Sequence, residues 1–477
     1  MAPTHTPDLC IIGGGSAGLA LAAGAQQMGA ECVLIERDKM GGDCLNHGCV
    51  PSKALLAAGH LAHAPARAIR MGVGTGAPAV DFRAVHDHVH GVIASLAPHD
   101  SVERFEGMGV TVLQGSARFR DGKTVETDDH VVRPRRTVIA TGSRPMVPPI
   151  PGVDDVPYLT NETVFELTEC PAHLVVLGGG PIGTELAQAH ARLGAHVTLV
   201  EMGRLLPNDD ADAAAVVRER LRAEGVTVRE HAKATGVARA GDGGVHVTLD
   251  AGDGGAREVA GSHLLLAAGR AGAAGELNPE AAGIAHHKGK LVVDRRLRTT
   301  NRHVFAAGDA AAGPRFTHAA AYHAGIIIKN ALFRLPAKAD HTAIPWCTYT
   351  EPELAHVGLT EAAARERHGD AVRVLSSNFA ENDRAVAERA GEGFVKAVTT
   401  PKGTVLGCTV VGANAGDLIQ PWTLAVEGKL KIGALAQTVA PYPTRGEASK
   451  AAAGQFYTPK LFSARTRRLV RWLAKLG

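Results

Sequence analysis

Runs of four or five apolar residues followed at once by glycine recur through the first part of this 477-residue chain. Residues 9–12 lead into Gly13-Gly14-Gly15-Ser16-Ala17-Gly18 and then an alanine-rich stretch to about Gln27, which predicts strand, tight turn and helix. A second apolar run, 32–35, ends in Glu36. The unit recurs: residues 174–177 lead into Gly178-Gly179-Gly180-Pro181-Ile182-Gly183, and 197–200 end in Glu201. One offset of 165 residues separates Gly13 from Gly178, Gly29 from Gly194 and Glu36 from Glu201. From about His341 the pattern changes to alternation, as in 372–375 and 394–398, which predicts an antiparallel sheet with helices between its strands. The tail 465–476 is basic with interleaved apolar residues and reads as an amphipathic helix. Docking on its own dimer interface or weak contact with a membrane surface would both suit it.

The repeated unit carries its own chemistry. Gly13 permits the turn, Gly15 lets backbone approach a pyrophosphate, and Gly18 allows close helix packing, while the amides of Ser16 and Ala17 open a helix whose positive end favours phosphate. Glu36 stands where a carboxylate accepts from ribose hydroxyls. Two such units in one chain predict two Rossmann-like domains and two bound dinucleotides. Glu201 favours NAD(H) over NADP(H), since a carboxylate repels an added 2′-phosphate, although Arg204 could compensate. The fold class is therefore α/β, with a C-terminal α+β part.

Composition narrows the rest. With 45% hydrophobic and 21% charged residues and a net charge of +3, the chain is that of a soluble globular protein of several domains, with no charge bias toward nucleic acid. No apolar run long enough to span a bilayer and no leader-like start are present, so a cytoplasmic location is expected. Five of the seven cysteines are scattered, the usage of a reducing compartment. The other two, Cys44 and Cys49, lie in Gly-Gly-Asp-Cys-Leu-Asn-His-Gly-Cys-Val-Pro-Ser-Lys directly after the first unit. So short a disulfide loop suits reversible redox chemistry better than stapling. A helix is expected to start at Pro51 and Ser52, and its amino terminus would favour thiolate.

These residues together resemble the class I pyridine nucleotide-disulfide oxidoreductases, the family of dihydrolipoamide dehydrogenase, glutathione reductase and mercuric reductase, over nearly the whole chain. The resemblance implies a homodimeric FAD enzyme that passes electrons from a nicotinamide through flavin and the Cys44/Cys49 disulfide to a substrate. It implies a first FAD-binding part over 1–150, an NAD(P)-binding domain over 151–270, a return to the FAD-binding or central domain over 271–340 and a dimerisation domain over 341–477. It assigns Ala117, Thr141, Gly142, Gly269, Gly308, Asp309 and Thr317 to the cofactor sites, with Asp309 on the ribityl chain. It also makes Lys53 and Glu185 an ion pair beside the flavin, where two solvated charges are an equal alternative, and leaves His47 without a role. Cys49 would lie nearer the flavin and Cys44 would be the exposed exchange thiol.

Two departures set the expected chemistry. In the family motif His-Pro-Thr-x-x-Glu, the histidine is oriented by the glutamate and acts as acid and base at the partner's cysteines. Here Tyr442 replaces it, with Glu447 retained and the tyrosine of the other subunit expected near it, lining the substrate site. A group with an ordinary pKa of ~10 shuttles protons poorly at neutrality. Mercuric reductases share that tyrosine, so the substrate is expected to be a soft metal ion, Cys44 and Cys49 being candidate Hg(II) ligands, or a disulfide. No structural metal is expected. Against a full mercuric reductase, the sequence shows no amino-terminal CxxC domain and no vicinal cysteine pair at its end. Pro181 fills the place of a tyrosine that gates the nicotinamide in many relatives. A true dihydrolipoamide dehydrogenase is the alternative, and a flavoprotein redox sensor or membrane-docked electron carrier is one of another class.

Overall fold

The computed structural model describes residues 2–476 except 75, 77, 78, 242, 253, 254, 256, 288 and 312. They form two compact units, residues 1–202 with 225–341, and residues 203–224 with 342–477.

In the first unit the apolar runs become two parallel sheets. Leu9–Ile12 pairs with Cys32–Glu36 and Arg136–Ile139 in a five-stranded sheet that also holds Val304–Ala306 and Thr111–Gln114. All four side chains of Leu9–Ile12 are buried, as expected of a strand covered on both faces. His173–Leu177 sits likewise between His196–Val200 and His263–Leu266 in a four-stranded sheet. Ser16–Gln27 packs on Thr317–Ala331, and Cys49–Arg70 packs on both Pro181–Arg192 and Phe82–Leu96. Gly59 permits the approach to Pro181–Arg192, since a Cβ there would lie only 3.4 Å from the backbone of Ala189.

The second unit is built on the antiparallel sheet of Trp346–Thr348, Glu353–Gly358, Val405–Gly412, Phe394–Thr399 and Arg373–Asn378, in that spatial order. Its core centres on Trp422, fully buried among Val395, Val410 and Ala452. The helix Ala211–Ala223 belongs here although its sequence lies between two strands of the second parallel sheet. It packs on Glu353–Gly358 and Val405–Gly412 and buries Ala213, Ala214, Val217 and Leu221. Lys396, 8% exposed, donates to Asp210 and Asp212, both at 2.7 Å, and thereby ties the helix start to the sheet. The tail forms the helix Ala464–Leu473, capped by Ser463, with Leu469, Val470, Trp472 and Leu473 exposed in the single chain. No helix among the described residues is long and apolar enough to cross a membrane.

Lys396→Met would leave the buried Asp210 carboxylate without its cation, at a cost of about 3–5 kcal/mol. All three tryptophans (Trp346, Trp422 and Trp472) lie in this unit, so its melting is read by their fluorescence. A fall in midpoint of about 6–20 °C is expected. A fall of under about 2 °C would rule out a buried charge pair that matters to stability.

Candidate functional site

The two glycine fingerprints fold alike. Gly13 and Gly178 turn the chain at φ of +111° and +117°, and an added Cβ on either would run into a carbonyl oxygen, of Ala140 or Ala267. Gly18 and Gly183 press against the carbonyls of Gly13 and Gly178, where a side chain has no room. Gly15 and Gly180 are the N-cap residues of Ser16–Gln27 and Pro181–Arg192. A Cβ on Gly180 would meet nothing within 4 Å and one on Gly15 only Gly42, so backbone is left open to a ligand at both helix starts. At the strand ends, Glu36 accepts from the Gly14 amide at 2.5 Å, and Glu201 from the Gly179 amide at 2.7 Å. Each carboxylate therefore braces its own glycine loop. Arg204 donates to the carbonyls of Leu205, Leu206, Pro207 and Asp209.

The residues of the first fingerprint fit a bound FAD. Helix geometry leaves the first amides of Ser16–Gln27 without intrahelical partners. The Thr141 hydroxyl is buried with no hydrogen-bond partner among the described residues, as a group reserved for a ligand would be. Asp309 accepts from the Ser143 hydroxyl at 2.6 Å. Gly308, at φ +60°, donates its amide to His323 at 3.2 Å. Gly142 also has positive φ, at +69°, and Gly269 accepts from the Met146 amide at 3.0 Å. Ala117 is buried with Ile12, Val33 and Ile35 at the strand ends. Pro181 and Ile182 are exposed at the start of their helix.

The cysteines stand where three helices begin. Cys44 lies in the short helix Gly42–Asn46, and Cys49 is the first residue of Cys49–Arg70, two residues ahead of the expected start at Pro51. Gly48, with a non-helical backbone, is the N-cap, and the Ser52 amide already bonds its carbonyl, so the first turn closes around Cys49. Both cysteines are thiols. Cys49 Sγ lies 3.6 Å from the hydroxyl of Thr317, the first residue of Thr317–Ala331. Ser16, the first residue of its own helix, hydrogen-bonds Cys44.

One proton is unevenly held between the two sulfurs. The Cys44 hydrogen bond, helped by Thr317 and the charge of Lys53, lowers Cys49 to about 6 against the opposing effect of burial. The same bond to Cys49, with burial, raises Cys44. Lys53, one turn into the helix, donates to Glu185 on Pro181–Arg192 at 2.8 Å, with the lysine 37% and the glutamate 6% exposed. In the chain by itself Cys49 is exposed and Cys44 half-buried.

The sequence reading missed a polar network behind the redox loop. Asn161 donates to Asp43 at 3.0 Å and to the His47 carbonyl at 3.2 Å. Arg270 lies 3.3 Å from Asp43, donates to Ser143, and lies 3.8 Å from Asp309. No motif marks Asn161. Tyr442 and Glu447 lie in the second unit, with Glu447 near enough for its charge to act on the phenol. The Tyr442 hydroxyl donates to Asp383 at 2.9 Å, which raises its pKa, while Glu447 accepts from the Thr444 amide at 3.1 Å at the start of its own helix. Tyr442 itself is 72% exposed.

Comparison with known proteins agrees with this architecture. The pyridine nucleotide-disulphide oxidoreductase model matches residues 7–324, and the dimerisation domain of the same family matches 344–453. The chain is 38% identical to a mercuric reductase of Streptomyces lividans, over 96% of this chain and 98% of that one. It is 36% identical to a dihydrolipoyl dehydrogenase of Haloferax volcanii, over 94% and 95%. Among solved structures it superposes on LpdA from Mycobacterium tuberculosis (TM-score 0.84, 29% identity) and on a Cu(II) complex of the HOCl-induced flavoprotein disulfide reductase RclA from Escherichia coli (TM-score 0.84, 27% identity), covering 94% of this chain and 99% of the other in each case. Relatives of both named activities carry FAD-dependent disulfide oxidoreductase function with a pyridine nucleotide, and the dimerisation domain supports homodimer formation. By these matches the chain belongs to the pyridine nucleotide-disulphide oxidoreductase family.

Proposed function

We infer that this enzyme reduces a soft metal ion of the Hg(II) class at Cys44 and Cys49, with NADH as the electron source. The observation that carries this reading is Tyr442. Its hydroxyl is committed to Asp383 and its pKa is raised, so it does not titrate near neutrality. Dithiol–disulfide exchange needs a group that moves a proton at the sulfurs, whereas an ion held by two thiolates needs none. The similarity to mercuric reductases points the same way. In the balance, NADH gives up a hydride, Hg(II) takes its two electrons to become Hg(0), and one proton is released. Bound FAD supplies the hydride acceptance and onward electron transfer.

The chain's own residues do the rest. The helix amino terminus, the Cys44 thiol and Lys53 hold Cys49 as a thiolate ready to bind the ion. Glu185 holds Lys53 in place. Glu201, with Arg204 engaged by its own loop, supports NADH over NADPH. The second reading, reduction of a disulfide, is favoured by the likeness to dihydrolipoyl dehydrogenases.

Anaerobic NADH oxidation with Hg(II) in excess thiol, run in parallel with lipoamide, separates the two. Turnover on Hg(II) that is lost in Cys44→Ser is expected, with little on lipoamide. Tyr442→His should raise lipoamide turnover by about 10²–10⁴-fold. Brisk lipoamide turnover by the parent would overturn the metal reading.

In the NADH-reduced enzyme, thiolate absorbance at 240 nm tests the electrostatics. The folded pKa of Cys49 lies below the ordinary thiol value, so its thiolate should persist from that value downward and be lost only as pH falls through about 6. Lys53→Gln should move the titration upward. A midpoint near 9 in the parent would contradict the assigned polarity of the pair.

A further inference from the structure

Three metal-ligating side chains meet away from the thiols. His86 and His90 are one turn apart on the helix Phe82–Leu96, so both imidazoles leave the same face, with ring centroids 4.2 Å apart. Glu166 closes the short 3-10 turn Val164–Glu166 and brings a carboxylate oxygen 3.8 Å from His90 Nε2. One ligand atom from each of the three lies within 4.8 Å of the other two. Bonds of about 2.0–2.2 Å at tetrahedral angles set donors about 3.3–3.6 Å apart, so side-chain rotation of about 1 Å draws the set onto one ion.

The surroundings are organised in the same sense. Asp87 accepts from His86 Nδ1 at 2.9 Å, which fixes the tautomer with its lone pair on Nε2. A carboxylate behind an imidazole is the arrangement that orients and strengthens a metal-bound histidine. Arg83, one turn earlier on the helix, lies 3.6 Å from Asp87. The Phe165 carbonyl accepts from His90 Nε2 at 3.2 Å and places that ring beside Glu166, a hydrogen bond that an ion bound at Nε2 would replace. The two histidine side chains are 17% and 34% exposed, so much of their rotamer freedom is already lost.

We propose that His86, His90 and Glu166 bind one first-row divalent ion of the Zn(II) class, with water completing the coordination. Two imidazoles and a carboxylate suit a borderline ion, in contrast to the two thiolates that suit a soft one, so the enzyme has two metal sites of different preference. The bound ion joins the helix Phe82–Leu96 to the turn at Val164–Glu166. That helix packs on both Gly42–Asn46 and Cys49–Arg70, so the ion braces the layer behind the redox pair.

The test is equilibrium dialysis of the oxidised holoenzyme, its Cys44 and Cys49 joined, against Zn(II), followed by metal analysis. The parent should hold one more Zn(II) per chain at micromolar free metal than His86→Ala, His90→Ala or Glu166→Gln, with equal flavin content. Asp87→Asn should weaken binding by about 10–100-fold. Zn(II) should raise the melting temperature read by flavin release in the parent and leave it unmoved in the variants. Should the alanine variants fail to fold, Glu166→Gln carries the comparison alone, since that side chain is 61% exposed. Equal Zn(II) content in parent and variants, or binding only at millimolar metal, would overturn the proposal.

Discussion

Three helix amino termini meet at one pair of sulfurs. Ser16, Cys49 and Thr317 are each the first residue of a helix, and each touches Cys44 or Cys49 or is one of them. Every such terminus brings partial positive charge and amides that lack partners within the helix. Brought together, they favour anions, and both the pyrophosphate of a dinucleotide and the thiolate of a redox pair are anions. The mutual packing of Ser16–Gln27 and Thr317–Ala331 keeps two of these termini side by side.

The second glycine fingerprint is linked to the sulfur pair by one helix pair. Cys49 and Lys53 sit on Cys49–Arg70, and Glu185 sits one turn into the helix that the second glycine fingerprint starts. The Lys53–Glu185 bond thus ties the residue that favours the thiolate to the helix that the second glycine fingerprint starts. Behind the redox loop, Asn161 and Arg270 fix Asp43, and Arg270 reaches Ser143 and Asp309. One side chain therefore registers the loop with Asp309.

Much of this was legible in the sequence because it is local. A glycine that must turn at positive φ, a strand that ends in a carboxylate and a short cysteine spacing are all written within a few residues, and the 165-residue offset doubled the signal. The start of the helix at Cys49 was missed because proline at its third position looked like its first. Asn161 could not be found, because what marks it is a pair of hydrogen bonds to residues 118 and 114 positions away. The hydrogen-bond partner of Tyr442 was not legible for a similar reason. The residue it meets, Asp383, lies 59 positions off, while the nearby Glu447 is occupied in starting its own helix.

The helix Ala211–Ala223 leaves the ribosome well before the strands that cover it, the nearest of which begins at Glu353. Its apolar face must wait for roughly 130 further residues, at synthesis rates of about 5–20 residues per second. The nascent chain therefore cannot close its units one after another from the amino end. Until the last sheet is made, the chain carries an amphipathic helix whose covering strands do not yet exist.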